Sequence, residues 1–196
     1  MKKERSKGFA AALATILFAA SAAVIAVTFV PDVWAQNFGP WSAPSNIGVP
    51  VNSNPEDWQP FITKDGLSLY FVRGVQPNSR MWVSKRASTE DPWGSPEFLP
   101  DTINSAGLGY PYVTPDGHWL YFNQGGGIVR SWRQNKKVES GPAGWQTPVS
   151  VGDGVNLGGA RSPWLFEDEE TGEVILYFAS QRFGGLDLFQ STMQPD

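Results

Sequence analysis

The sequence has no cysteine and one histidine, His118. With no thiols, no disulfide framework holds the chain, and the fold must rest on its core and its hydrogen bonds. With one imidazole, a Ser-His-Asp relay would have to use His118, which directly follows a turn glycine and reads as a half-exposed residue at a strand start. A zinc site lacks the second histidine or the cysteines that would complete its ligands. Positive charge is also scarce. Beyond the first 35 residues there are 11 Lys and Arg against 17 Asp and Glu, a net charge of −6. That balance excludes a phosphate-binding footprint for nucleic acid and gives no polybasic attraction to anionic lipid. No cofactor motif is present. Gly125-Gly126-Gly127 has no following helix and no Gly-Lys-Ser/Thr, so it reads as a turn and not a phosphate loop. A 3.6-residue apolar stripe is missing beyond residue 35, which predicts almost no helix.

Aromatics, glycine and proline are plentiful: Trp, Tyr and Phe make up 13% of the chain, with 21 Gly and 16 Pro. Many turns with many aromatics predict many short strands. The first 35 residues read as a targeting segment. Lys2, Lys3, Arg5 and Lys7 precede a largely apolar stretch over 9–30, then Pro31 and Val33-Trp34-Ala35. Cleavage after Ala35 is one reading. An uncleaved anchor is the other, since 22 residues can span a bilayer. Either way the segment predicts export, to the periplasm or cell surface, with no membrane contact unless it is retained.

Trp41, Trp93 and Trp145 stand 52 residues apart, and so do Pro44, Pro96 and Pro148, and Asn52, Asn104 and Asn156. Three residue types in one register over three copies define a repeat. Each copy contains a hairpin, clearest at Pro111-Tyr112-Val113-Thr114-Pro115-Asp116-Gly117-His118-Trp119-Leu120-Tyr121-Phe122. Asp116-Gly117 and Asp65-Gly66 suit a turn with glycine at positive φ. The third copy stretches its turn to Glu167-Asp168-Glu169-Glu170-Thr171-Gly172-Glu173. The strand after each turn is apolar on both faces, so it belongs in a stack of sheets. A third strand follows, and the Trp-x-x-Pro phrase supplies a short fourth one at an edge.

Pro-x-x-Thr-Pro-Asp-Gly-x-x-Leu-Tyr-Phe resembles the signature of PD40, the WD40-like repeat of TolB-type β-propellers. Ser180-Gln181-Arg182-Phe183-Gly184-Gly185-Leu186-Asp187-Leu188-Phe189 is similar to that family's later phrase. The resemblance implies an all-β fold of three four-stranded propeller blades, 41–92, 93–144 and 145–196. It implies much less about activity. Propellers close with four to eight blades. Three blades leave an incomplete ring, to be resolved by a longer protein, by a homodimer forming a six-bladed ring, or by a capping partner.

Function is sought where the repeat pattern breaks. The candidate binding residues are Asp57, Arg73, Arg80, Arg182, Phe183 and Asp187. Arg73, Arg80, Arg130 and Arg182 either line an anion site or pair with the acidic surplus across blades. Glu56, Asp57 and Asp187 are the carboxylates for a glycosidase-like propeller, which needs two at a set separation. The acidic turn at 167–170 lacks the spacing of a calcium loop and reads as solvated. The expectation is a non-catalytic binding or scaffold module for a protein or glycan. A carbohydrate-active enzyme using Asp57 and Asp187 is the alternative.

Overall fold

The computed structural model describes residues 39–53, 56–104 and 108–194. The targeting-segment reading of residues 1–35 lies outside them. Residues 39–44 fall in a unit with the residues before them and are exposed, without regular structure. The second unit begins at Ser45. Among the described residues no helix is long and apolar enough to cross a membrane.

The unit is built from three antiparallel sheets. The first holds β1 (Asp57–Ile62), β2 (Ser68–Arg73), β3 (Arg80–Lys85) and β4 (Glu97–Phe98), in that order. The second repeats the plan with β5 (Gly109–Val113), β6 (Trp119–Gln124), β7 (Gly127–Trp132) and β8 (Val149–Ser150). The third has three strands, β9 (Ala160–Glu167), β10 (Val174–Ser180) and β11 (Asp187–Thr192). One four-residue helix, α1 (Asp153–Asn156), precedes β9. Among the described residues the sheets do not close into a ring, and the third has no fourth strand. In the first two sheets that strand starts just after the Trp-x-x-Pro phrase, at the edge.

The hairpin turns form as their residues dictate. Asp65 Oδ1 accepts from the Leu67 N–H at 3.0 Å and from the Thr63 hydroxyl at 2.7 Å, and Gly66 takes φ 72°. Asp116 does the same with His118 N–H and the Thr114 hydroxyl, with Gly117 at φ 79°. In the acidic turn Asp168 accepts from the Glu170 and Thr171 N–H groups, which hold its carboxyl below the usual range.

The middle strands carry the core. Tyr70 of β2 faces Leu120 and Phe122 of β6 in one cluster, while Leu69 and Phe71 face a smaller cluster with Val51 and Trp82. Tyr121, on the other face of β6, packs with Leu176 and Phe178 of β10. Leu120 and Phe122 are fully buried, each contributing about 2 kcal/mol by area removed from water. β10 departs from the expectation of burial on both sides: Tyr177 is 42% exposed, because no sheet covers that face.

Each first strand carries a bulge before its proline. Gln59, Tyr110 and Ser162 take positive φ (51°, 54° and 58°), and the pairing shifts register there in all three sheets. Bulges bend a strand and re-aim side chains. Here they turn Phe61, Tyr112 and Trp164 onto one another, with centroids 5.2 Å (Phe61–Tyr112), 5.1 Å (Tyr112–Trp164) and 6.4 Å (Phe61–Trp164) apart. The bulges are also stitched between sheets. Tyr110 N–H donates to Gln59 Oε1 at 2.7 Å, and Ser162 N–H to Asn123 Oδ1 at 3.0 Å. A Cβ on Gly109 would lie 2.8 Å from Gln59 Oε1, so a larger residue there would displace the side chain that makes the first stitch.

Candidate functional site

A cleft of about 750 Å³ opens between the second and third sheets. Such a volume suits a small ligand. Tyr112 of β5, Trp119 and Tyr121 of β6, Arg130 of β7 and Leu165 and Glu167 of β9 line it. A smaller hollow of about 290 Å³ shares Tyr121, Arg130 and Leu165 with it.

The strand register explains why the cleft is there. Arg130 is the fourth residue of β7; the fourth residue of β3 is Val83, fully buried between the first and second sheets. A guanidinium in place of an isopropyl group cannot close the gap without desolvating its charge. The Arg130 guanidinium carbon instead lies 4.9 Å from the Trp119 ring centroid. Stacking leaves the edge of the guanidinium plane for hydrogen bonds. Its Nε is buried and has no hydrogen-bond partner among the described residues. A buried donor without an acceptor costs about 1–3 kcal/mol.

The surrounding groups are set. The Tyr112 hydroxyl donates to the Leu165 carbonyl at 3.0 Å. Burial, reinforced by Tyr121 and Glu167, pushes its ionisation up, so it stays a neutral donor. Glu167 ends β9 and is exposed. The cleft thus offers aromatic walls, one stacked cation and two exposed carboxylates, Glu167 and Asp116. That donor set suits a polyhydroxylated ligand.

The residues singled out from sequence lie elsewhere. Asp57 sits opposite Arg73 in the β1–β2 ladder, with Oδ1 2.6 Å from Arg73 Nε, and accepts the Ser53 N–H at 2.8 Å. Arg73 also donates to the Val51 carbonyl and lies 5.1 Å over Phe71 and over Trp82. Arg80 faces Arg73 in the ladder and donates to the Ser79 carbonyl at 2.9 Å. These three share one end of the first sheet. Arg182, Phe183 and Asp187 share the matching end of the third. Arg182 donates to the Gly154 and Val155 carbonyls of α1 and stacks 4.7 Å over Phe189. Phe183 is 80% exposed, and Asp187 opens β11 opposite Ser180. Asp57 and Asp187 therefore stand on different sheets. Glu56 is exposed just before β1. His118 Nδ1 lies 2.9 Å from the Arg133 carbonyl oxygen, a strand-start contact.

Arg130 was legible only as one of four arginines; comparing third strands singles it out, because it stands where Val83 does. A second cleft, of about 320 Å³, lies between the turns of the first two sheets beside Lys64, Lys85, Arg86 and Lys136. Its buried cation, Arg133, is already satisfied by Glu139 at 2.9 Å.

No family model matches the chain, and no curated protein matches it. Among solved structures it is similar to an α-L-arabinofuranosidase from Podospora anserina in complex with cellotriose. The identity is 16% and the TM-score 0.48, covering 79% of this chain and 51% of the other. The chain thus spans about half the length of that structure, and a likeness this loose bears on neither its ligand nor its activity.

Proposed function

We propose that the three sheets are blades of a PD40-type β-propeller unit, and that the chain is a non-catalytic binding module for a neutral glycan. The blade reading is supported by the 52-residue step, the face-to-face stacking of middle strands, and the convergence of Phe61, Tyr112 and Trp164. An exported setting in the cell envelope belongs to the same reading and rests on residues 1–35.

The binding reading rests on one observation: Arg130, stacked on Trp119, stands with that ring in the wall of the cleft. Sugar hydroxyls both accept and donate, so they match Arg130 and Glu167 together. An acidic glycan would meet Glu167 and Asp116, which also lines the cleft. That disfavours a carboxylate or sulfate ligand.

Calorimetric titration with neutral oligosaccharides tests this. Binding that weakens at least about tenfold in Arg130→Ala, without change in melting temperature, supports it. Release of reducing sugar would replace it with a glycoside hydrolase. Absence of binding across the panel would overturn it.

A further inference from the structure

The edge strand of each of the first two sheets is supplied by the opening phrase of the next repeat. β4 pairs with β3 through Trp82↔Phe98 and Val83↔Glu97, and β8 with β7 through Val129↔Ser150 and Arg130↔Val149. The two strands are one 52-residue step apart. One step earlier stand Ser45 and Asn46, which belong to no strand.

The asparagines of the step tell the same story. Asn104 accepts the Met81 N–H at 2.7 Å and donates to the Met81 carbonyl at 3.1 Å. Asn156 does likewise with Ile128, at 2.8 and 2.9 Å. Each amide thus clamps both backbone groups of the second residue of a third strand. Asn52 has no such strand, and its amide donates to Asn46 Oδ1 instead. Val51 does keep the place of its equivalents Ile103 and Val155, buried at 3% against Leu69 and Phe71. Val51 is therefore seated on the first sheet, while Ser45, Asn46 and the Asn52 amide engage no sheet among the described residues.

The third sheet has the opposite lack. β11 is its edge strand. Leu188 holds the place of Met81 and Ile128, which are fully buried, yet it is 88% exposed. Trp164, Phe166 and Tyr177 are 59%, 50% and 42% exposed on the side of the sheet away from Leu176 and Phe178. An apolar face of this kind beside an open strand edge is a docking surface.

We propose that segment 45–52 of one copy completes the third sheet of a second copy, and reciprocally, so that two copies close a ring of six sheets. Ser45 and Asn46 pair with the partner's Gln190 and the partner's Phe189. Asn52 clamps the N–H and C=O of the partner's Leu188. The occupant is a second copy because donor and acceptor lie on the same chain. Each continues, by one repeat step, an interface the chain already makes twice. A head-to-tail contact closes when its rotation divides the circle. Two copies of three sheets give six, within the range of closed propellers. The proposal rests on the repeat register and is independent of the glycan reading.

The chain has no cysteine, so an introduced pair reports on this contact alone. In Ser45→Cys combined with Gln190→Cys, oxidation is expected to give a covalent dimer on a non-reducing gel, while neither single variant does. Sedimentation of the unsubstituted chain is expected to give twice the chain mass. Leu188→Glu, at an exposed position, is expected to give a monomer with unchanged circular dichroism. A monomeric unsubstituted chain, an intrachain disulfide, or open-ended oligomers would each overturn the proposal.

Discussion

Arg133 Nη1 lies 2.9 and 3.0 Å from the two carboxylate oxygens of Glu139, and both side chains are nearly fully buried. The pair joins two sheets. Glu139 also accepts from the Trp145 indole at 2.6 Å, from the Tyr70 hydroxyl at 3.1 Å, and from Lys85 Nζ at 2.8 Å. Arg133 stacks 4.1 Å over Trp145 and donates to the Gly117 carbonyl. A buried ion pair is weak evidence of net stability, but removing one member leaves an uncompensated charge. Glu139→Gln is expected to destabilise the fold by about 3–5 kcal/mol in urea denaturation. Glu139→Leu with Arg133→Met should cost clearly less than either single change. Additive losses would show that the pair is not coupled.

Tyr70 gives the network a pH signature. Burial, aided by the Glu139 charge, pushes its hydroxyl well above the ordinary tyrosine range. The neutral form is thus favoured in the fold. Its contribution is complete below about pH 10, the unfolded value, and is lost as pH rises towards the folded one. Tyr70→Phe is expected to flatten the fall of stability above about pH 10. An unchanged alkaline profile in that variant would contradict the assignment.

Asn104 substitutes for a strand where the ladder of the first sheet ends. Besides clamping Met81 it donates to the Leu99 carbonyl at 2.7 Å, and it is 7% exposed. Asn104→Ala leaves buried backbone groups unsatisfied and should cost about 2–4 kcal/mol. Asn104→Asp keeps the acceptor but loses both donors, and should not rescue it. A cost below about 0.5 kcal/mol would mean that water takes over the role.

Asp57 is engaged by Arg73 and by the Ser53 N–H at the end of the first sheet. Asp57→Ala strands Arg73 beside Phe71 and Trp82, and is expected to cost about 2–3 kcal/mol. Glycan affinity per folded molecule should stay the same. Loss of affinity with an unchanged melting temperature would return Asp57 to the candidate site.

Much of the fold was legible because its signals are local and repeated. Asp65-Gly66 and Asp116-Gly117 mark their turns chemically, and alternation in β2 and β6 places Leu69 opposite Tyr70 and Leu120 opposite Tyr121. The step at Asn52, Asn104 and Asn156 announced a repeat. Its purpose did not show, because clamping depends on which backbone edge lies within reach. The bulges at Gln59, Tyr110 and Ser162 were hidden for another reason: a residue before proline is ordinarily extended. Asp57, Arg73 and Arg182 drew attention as irregularities, yet each is spent on local contacts. Arg130 stood out less, because its isolation depends on the burial of Nε, which the sequence does not carry.

The most direct measurement is calorimetric titration of the unsubstituted chain and Arg130→Ala with the same neutral oligosaccharide, alongside their melting temperatures. Saturable binding by the first, at least about tenfold weaker binding by the second, and equal melting temperatures are expected. Equal affinity in both proteins would contradict the binding reading.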